Sequence, residues 1–493
     1  MSPGCARGNA AGVRASAWTI QERRDFVNRQ IIPLALAAVV ALAPTARAQD
    51  TTATPIEAST AAPQTSSEEE PAPDPAAVIV AAQRDPHLRL LLQEILDRNP
   101  SVAALAAQAA AADQRAPQVK ALPDPVVSVT AFLLSPETRV GPQYGTVALS
   151  QRFPWFGKLP AREQVELAAA VAARTRVASR RLEIVTEGRR LAFELAWLNH
   201  EEREVRADRG TLKHYEELAR ARYVSGVGIQ QSIIKIGAEI TRDDNRLLDI
   251  ATRRGTLEAR LNVLRDRPRG TPLPSFELPK KVAPAPDAAT LFQEALLRRP
   301  ELAEVEALIQ RAENAGVVAR KDYSPDVTAG IAWTWVGKRS DPAGEANPPE
   351  NNGKDVLALF ASVNLPVHRE RLAAGVEEAG QQRLAAEERR RAIRAEIEGD
   401  IADLANRMKT TAEQVRLFDD VLVAQAHQSL DSAETAYATG NLGVLDLLDA
   451  ERTLLGVRVA AARARTDWAV AMARMEGVVG EPLSQINQQE KTQ

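Results

Sequence analysis

The stretch 177–212, VASRRLEIVTEGRRLAFELAWLNHEEREVRADRGTL, places Val177, Ile184, Leu191, Leu198, Val205 and Leu212 seven residues apart. Such a sustained heptad marks a helix that lies along partner helices for its whole length, rather than one face of a compact bundle. No proline occurs from Ala161 to Arg267 or from Val367 to Glu481, and both windows are rich in Ala, Leu, Glu and Arg, so both are expected to be long helices. A helix over about 161–220 would run roughly 90 Å at 1.5 Å per residue, far longer than a globular domain needs. The second window answers with Ile397, Ile401, Leu404, Met408, Val415, Phe418 and Leu422, at mostly three- and four-residue steps.

The two windows belong to an internal duplication. Leu92-Gln93-Glu94-Ile95-Leu96-Asp97-Arg98-Asn99-Pro100 matches Phe292-Gln293-Glu294-Ala295-Leu296-Leu297-Arg298-Arg299-Pro300, 200 residues later, and an Ala-rich helical stretch follows each. A Pro-Asp step then opens a strand (Pro123-Asp124, Pro325-Asp326), and a second strand ends in Phe153-Pro154 or Leu365-Pro366. The long helix after it ends in an aromatic-glycine turn, Tyr223 to Gly226 or Tyr437 to Gly440, and a returning helix follows. Each half therefore reads as helix, strand, strand, long helix, turn, helix. The expected boundaries are a first repeat at 86–265, a Pro-rich connector at 266–286, a second repeat at 287–480 and a tail at 481–493.

The 493 residues carry 62 Lys+Arg and 65 Asp+Glu, a net charge of −3, so charge gives no support to nucleic-acid binding. Residues 1–48 read as a secretory signal: Arg23, Arg24 and Arg29, the apolar run Ile31–Ala43, and a small-x-small site at Ala46-Arg47-Ala48. The segment from Val27 onward has the proportions of a signal by itself, so the true start is read at Val27. Removing 1–48 takes away six Arg and two acids and leaves a net charge of −7. It also removes Cys5, the only cysteine, leaving neither a disulfide nor a thiolate metal site. Residues 49–85 are rich in Ala, Pro, Ser, Thr and Glu and read as a disordered tether. No later window is apolar enough for a spanning helix, so membrane residence would require strands.

The strands carry that possibility. In Val327-Thr328-Ala329-Gly330-Ile331-Ala332-Trp333-Thr334-Trp335 one face holds Val, Ala, Ile, Trp and Trp and the other Thr, Gly, Ala and Thr. This is the length and alternation of a tilted membrane strand, with paired Trp suited to an interfacial belt. Its partner over 356–363 places Leu357, Leu359, Ala361 and Val363 on one side, and the first pair is expected at Val126–Leu133 and Tyr144–Phe153. Four strands cannot close a barrel, whereas three copies would supply twelve. Taken alone, the strands also fit a soluble sheet packed on helices.

Catalytic motifs are incomplete. His200-Glu201 opens like a zinc-protease helix, but position 204 is Glu204, and the pair reads as a solvated face. Gly226-Val227-Gly228 lacks a third glycine in dinucleotide-binding register, and Gly157-Lys158 lacks the rest of a phosphate loop; both read as turns. Met472 and Met475 share a helix face and read as core. No cofactor, metal site or enzymatic activity is expected.

This layout resembles the outer membrane factor family, the TolC-like exit ducts of tripartite efflux pumps, over about residues 86–480. The most specific stretch is Tyr437-Ala-Thr-Gly440-Asn-Leu-Gly443-Val-Leu-Asp446-Leu-Leu-Asp449-Ala450, which is similar to the family's periplasmic tip turn. The first-half turn Tyr223–Lys235 and the strand-helix junction Gln151–Lys158, with Phe153, Pro154, Trp155 and Gly157 answered by Pro366 in the second half, resemble the subgroup that serves heavy-metal RND pumps. The resemblance implies a mainly α protein with membrane β. Three chains would form a twelve-stranded outer-membrane barrel continued by an α-helical coiled-coil barrel in the periplasm. The implied partners are outer-membrane lipid, a periplasmic adaptor and an inner-membrane RND pump, with heavy-metal cations as cargo.

The resemblance further implies that Asp446 and Asp449 ring the periplasmic aperture, six carboxylates in a trimer, which would favour cations. By spacing alone they share a helix face and equally fit solvated acids near a helix N-terminus. Tyr437 matches the family's closing lock, where the usual acidic partner is replaced by Ser232, beside Gln231, and an arginine by Leu442. Closure is then expected to rest on neutral hydrogen bonds from Tyr437 and on packing, and Tyr437→Phe should raise basal conductance only modestly. Adaptor docking is expected near the tip turns, at Tyr223, Gly226, Gly440 and Gly443. The alternatives are a duct for drugs or other small molecules and a periplasmic coiled-coil adaptor or scaffold.

Overall fold

The computed structural model describes residues 74–490, which are mainly α-helical with a small antiparallel sheet. Two units are present. Residues 122–155 and 324–365 hold the strands, and the described parts of 70–121, 156–323 and 366–493 form a helical unit. The expected signal and residues 49–73 of the tether lie outside the described residues.

The tether stops sooner than residue 85. Asp74 accepts a hydrogen bond from the Ala76 amide at 3.2 Å, Pro75 opens helix α1 (Pro75–Ala81), and Ala76, Ile79 and Val80 are buried. A side-chain cap, a proline at the first helical position and the run Val78-Ile79-Val80 outweigh the Pro- and Ala-rich composition. The same device starts α2 (Pro86–Arg98) and α3 (Pro100–Asp113), capped by Asp85 and Asn99, before the short α4 (Arg115–Lys120).

The sheet unit begins with β1 (Val126–Ala131), β2 (Glu137–Thr138) and β3 (Gly141–Phe153). β1 is two residues shorter than expected, and β3 starts three residues earlier because Gly141 and Pro142 pair with β2. The first repeat continues with α5 (Lys158–Val224), 67 residues or about 100 Å at 1.5 Å per residue, and α6 (Gln230–Leu264). The second contains α7 (Ala288–Arg298), α8 (Pro300–Lys321), β4 (Val327–Val336), α9 (Pro342–Ala346), β5 (Val356–Val363) and α10 (Arg369–Leu417). A π turn at Phe418–Leu422 leads into α11 (Val423–Thr439), then α12 (Val444–Val479) and α13 (Leu483–Glu490).

The heptad stripe of α5 is the seam of the helical unit. Ile184, Leu191, Leu198, Val205 and Leu212 are buried and Val177 is partly so, and they feed three successive apolar clusters along the helix. The stripe on α10 is buried from Ile397 to Val415, but Phe418 is only half-buried and Leu422 is exposed. The π turn adds a residue to one helical turn and rotates the stripe off its partners; burial resumes at Ala426, Leu430, Ala433 and Tyr437. The connector is packed rather than free. Phe276 is buried in the main core, and the Ala283 carbonyl accepts a hydrogen bond from Trp468 Nε1 at 2.9 Å. The expected tail is packed too, since Leu483 and Ile486 of α13 are buried in that core.

The strands run in the order β1-β3-β4-β5, all antiparallel, with β2 paired only to β3. The register aligns Val127, Leu149, Ile331 and Leu359 in one row and Val129, Val147, Trp333 and Leu357 in the next. These rows make one continuous apolar face that none of the described residues covers: Leu359 is 84% exposed and Trp333 50%. The opposite face carries Ser128, Ala148, Ala332 and Ala358, then Thr130, Thr146 and Thr334, with Thr146 and Thr334 joined through their hydroxyls at 2.8 Å. A soluble sheet would bury its large side chains and expose its small polar ones. Here the large ones are exposed, on this face and also at Val126, Val356 and Phe360 of the opposite one.

Candidate functional site

The two hairpin tips of the helical unit are built alike. α5 ends at Val224, and Gly226 takes φ +77°, which lets the amides of Val227 and Gly228 bond the Arg222 carbonyl at 3.0 and 2.8 Å. α11 ends at Thr439, Gly440 takes φ +83°, and the Asn441 amide bonds the Ala436 carbonyl at 2.9 Å. A left-handed glycine after the last helical turn satisfies carbonyls the helix leaves open, which is why each aromatic-x-x-Gly turn stops a long helix. Gly443 then caps α12 in extended backbone.

Arg222, which no spacing or motif marks, joins the tips. The Arg222 guanidinium lies over the Tyr437 ring, 5.0 Å from its centroid, and its Nη1 donates to the Tyr437 carbonyl. A Cβ at Gly440 would stand 3.2 Å from Arg222 Nη2, so that glycine serves both the turn and the arginine. Within one chain the expected bonds from Tyr437 to Ser232 or Gln231 are not present, and among the described residues the Tyr437 hydroxyl makes no hydrogen bond. Ser232 is buried on α6 with its amide on the Ile229 carbonyl, and Gln231 is exposed. Leu442 packs against the apolar tip cluster with Tyr437, Leu447 and Leu212. The cation that meets Tyr437 is Arg222 of the other turn, beside Tyr223. A charge-ring contact of this kind contributes about 1 kcal/mol. Arg222→Ala should therefore speed hydrogen exchange at the second tip turn severalfold, whereas Tyr437→Phe, which keeps ring and carbonyl, should leave it near wild type.

Asp446 lies in the first turn of α12 and Asp449 one turn on, both exposed. At the strand ends Asp326 is buried and gathers the junction: it accepts from Arg152 Nη2 at 2.5 Å and from the Trp155 amide at 3.1 Å. Phe153 and Trp155 are exposed, Pro154 and Pro366 half-buried, and Gly157, at φ +79°, precedes α5. Tyr223 is exposed at the first tip.

The His200-Glu201 pair is not a solvated face. Glu201 is buried and paired to Arg246 at 2.8 Å across α5 and α6; burial, with weaker repulsion from Arg203 and Arg465, lowers the His200 pKa despite the attraction of Glu204. Met475 is buried in the core and Met472 packs against it. Among the described residues no group of three or more His, Cys, Asp or Glu is placed to hold a metal ion, and no helix is long and apolar enough to cross a membrane.

Compared with known proteins, the chain matches the family model for outer membrane efflux proteins over residues 91–264 and 291–481. No curated protein matches its sequence. Among solved structures it is similar to the outer-membrane channel OprN, at 18% identity and TM-score 0.66, covering 90% of this chain and 99% of that one. It is similar to the outer membrane protein VceC of Vibrio cholerae, at 19% identity and TM-score 0.65, covering 80% and 96%. The open state of the MtrE outer membrane channel of Neisseria gonorrhoeae is similar at 19% identity and TM-score 0.62, covering 81% and 90%.

Proposed function

The chain belongs to the outer membrane efflux protein family, and from that premise we propose that it is the outer-membrane exit duct of a tripartite RND-type efflux pump, working as a trimer. The observation that carries this reading is the sheet. Its large apolar face is uncovered, and its outer strands β1 and β5 each leave one edge unpaired. In lipid an open edge strands backbone amides and carbonyls without partners, at several kcal/mol each, so four strands per chain must be completed by other copies. Three copies give a twelve-stranded barrel in the outer membrane, and the helical units form the periplasmic tunnel. It is a channel family, not an enzyme family.

Conduction is passive and gated at the tips, where Asp446 and Asp449 ring the aperture and Arg222, Tyr437 and their turns hold it. A periplasmic adaptor docks along the helices near Tyr223, Gly226, Gly440 and Gly443, and the inner-membrane pump selects the cargo. The cargo we assign is heavy-metal cations, on the likeness of the turn Tyr223–Lys235 and the junction 151–158 to that subgroup. Among the described residues no group of acids, histidines or cysteines is placed to hold a metal ion, and weak binding of this kind is what rapid passage requires.

Native mass of the protein extracted in detergent from an outer-membrane fraction tests the assembly, and a trimer is expected. A monomer or dimer released without detergent would refute it and favour an adaptor or scaffold. For cargo, loss of the protein should sensitise cells to heavy-metal salts; sensitivity to drugs alone would overturn that assignment.

A further inference from the structure

About 24 Å from the end of α5 at 1.5 Å per residue, a cavity of about 390 Å³ opens between α5, α6 and α12, and three acids meet at it: Asp208, Asp243 and Glu451. Their exposures are 8%, 7% and 6%, and Asp208 Oδ1, Asp243 Oδ2 and Glu451 Oε2 are buried without any protein donor. The surrounding cations are paired with other acids, and Arg246 and Arg458 act on Asp243 and Glu451 only through longer-range attraction. Arg242 and Arg452 both hold Glu239, Arg246 holds Glu201 at 2.8 Å, and Arg458 lies 3.5 Å from Glu204. Tyr215 donates its hydroxyl to Glu434 rather than to the acids. Asp208 stands within hydrogen-bonding reach of Asp243 on one side and Glu451 on the other. Two facing carboxylate oxygens can bond only through a proton, and the described residues offer no arrangement suited to a metal ion.

We propose that Asp208, Asp243 and Glu451 form a proton-held clasp that ties α12 to α5 and α6, closed while protons bridge the carboxyls and released when they leave. Released, the three charges repel in a buried site. Burial, then Glu451, pushes Asp208 up to about 7 against a lowering contact from Asp243; burial, then Asp208, pushes Asp243 up to about 8 against the attraction of Arg246; and burial raises Glu451 against lowering by Asp208 and Arg458. These pKa values lie above the ordinary carboxylate range. The packing contribution is therefore complete only below the ordinary carboxylate range, near 3.8, and is lost progressively as pH rises from there through about 7 and 8. Glu451 sits two residues beyond Asp449 on α12, so release also frees the segment that carries Asp446 and Asp449. That consequence rests on the duct reading; the clasp itself does not.

The test uses the full chain in detergent, titrated from about pH 4 to pH 9, with infrared detection of protonated carboxyls and the melting temperature followed together. The expected result is a melting temperature that falls by several degrees from about pH 4 to pH 8 and levels off as a protonated-carboxyl band disappears near pH 7 to 8. Asp243→Asn and Asp208→Asn, which keep a donor without a charge, should each shrink the band and flatten the fall. Absence of the band at pH 6, or variants that titrate like wild type, would overturn the clasp. In planar bilayers, conductance should rise as the band disappears. A protein that shows the titration but never conducts would keep the clasp and defeat the duct reading instead.

Discussion

Glu476→Ala is expected to destabilise the helical unit by about 3–5 kcal/mol, the cost of leaving a buried guanidinium without its counter-charge. Arg189 on α5 is 1% exposed, and its Nη1 stands 2.5 Å from Glu476 Oε2 on α12. The contact is an ion pair without an aligned hydrogen bond, so charge rather than bonding geometry holds it. Glu476 also accepts the Leu483 amide at 2.9 Å and so anchors the start of α13. Glu476→Gln keeps the volume and can keep that amide bond, yet it should recover little, because the charge on Arg189 stays unanswered. The pair Arg189→Met with Glu476→Leu should recover most of the loss, since apolar groups of similar size remove the buried charge on both sides. Urea unfolding followed by circular dichroism would measure all four proteins. Single variants within 1 kcal/mol of wild type would show that the pair is solvated and of little consequence.

Reversing charge at the aperture should have the largest functional effect. With Asp446→Lys and Asp449→Lys together, a trimer exchanges six carboxylates near its axis for six ammonium groups. The preference of the channel in planar bilayers should then turn from cations to anions, a change in permeability ratio of about tenfold or more at low salt. The contrast should fade near 1 M salt, where the screening length is about 3 Å. Both residues are exposed on α12 and take no part in the apolar tip cluster, so assembly should survive the substitutions. An intact trimer with unaltered selectivity would remove the two aspartates from the aperture.

Most of the helical architecture was legible because burial along a long seam writes itself into spacing. Val177 to Leu212 could be read without knowing what they touch, and so could the alternation from Val327 to Trp335. Local chemistry also marked the ends of elements, as at Gly226 and Gly440. Pairings between distant segments were not legible. In a chain with 127 Lys, Arg, Asp and Glu side chains, Glu201, Asp208, Arg222 and Asp326 look like any other charge on a solvated helix or loop. Only folding shows that Glu201 meets Arg246, that Asp208 meets Asp243 and Glu451, and that Arg222 reaches Tyr437. Composition misled at the margins for a related reason: three apolar residues at 78–80 and two in α13 suffice to pack a short helix, but they vanish in an average over a Pro-rich or polar segment.

The strand order has a temporal consequence. The central seam of the sheet joins β3 to β4, with Phe153 opposite Val327, so the partner of β3 is synthesised 174 residues after it. At 5–20 residues per second that is a delay of roughly 9–35 s. Until both segments are present, a hairpin of β1 with β3 would have an inner edge with nothing to pair with. Pairing across so long a loop is slow in any case, because closure entropy precedes the contacts that offset it. Pairing of β3 with β4 is therefore a slow step of folding, as it would not be if each repeat's strands paired only with each other.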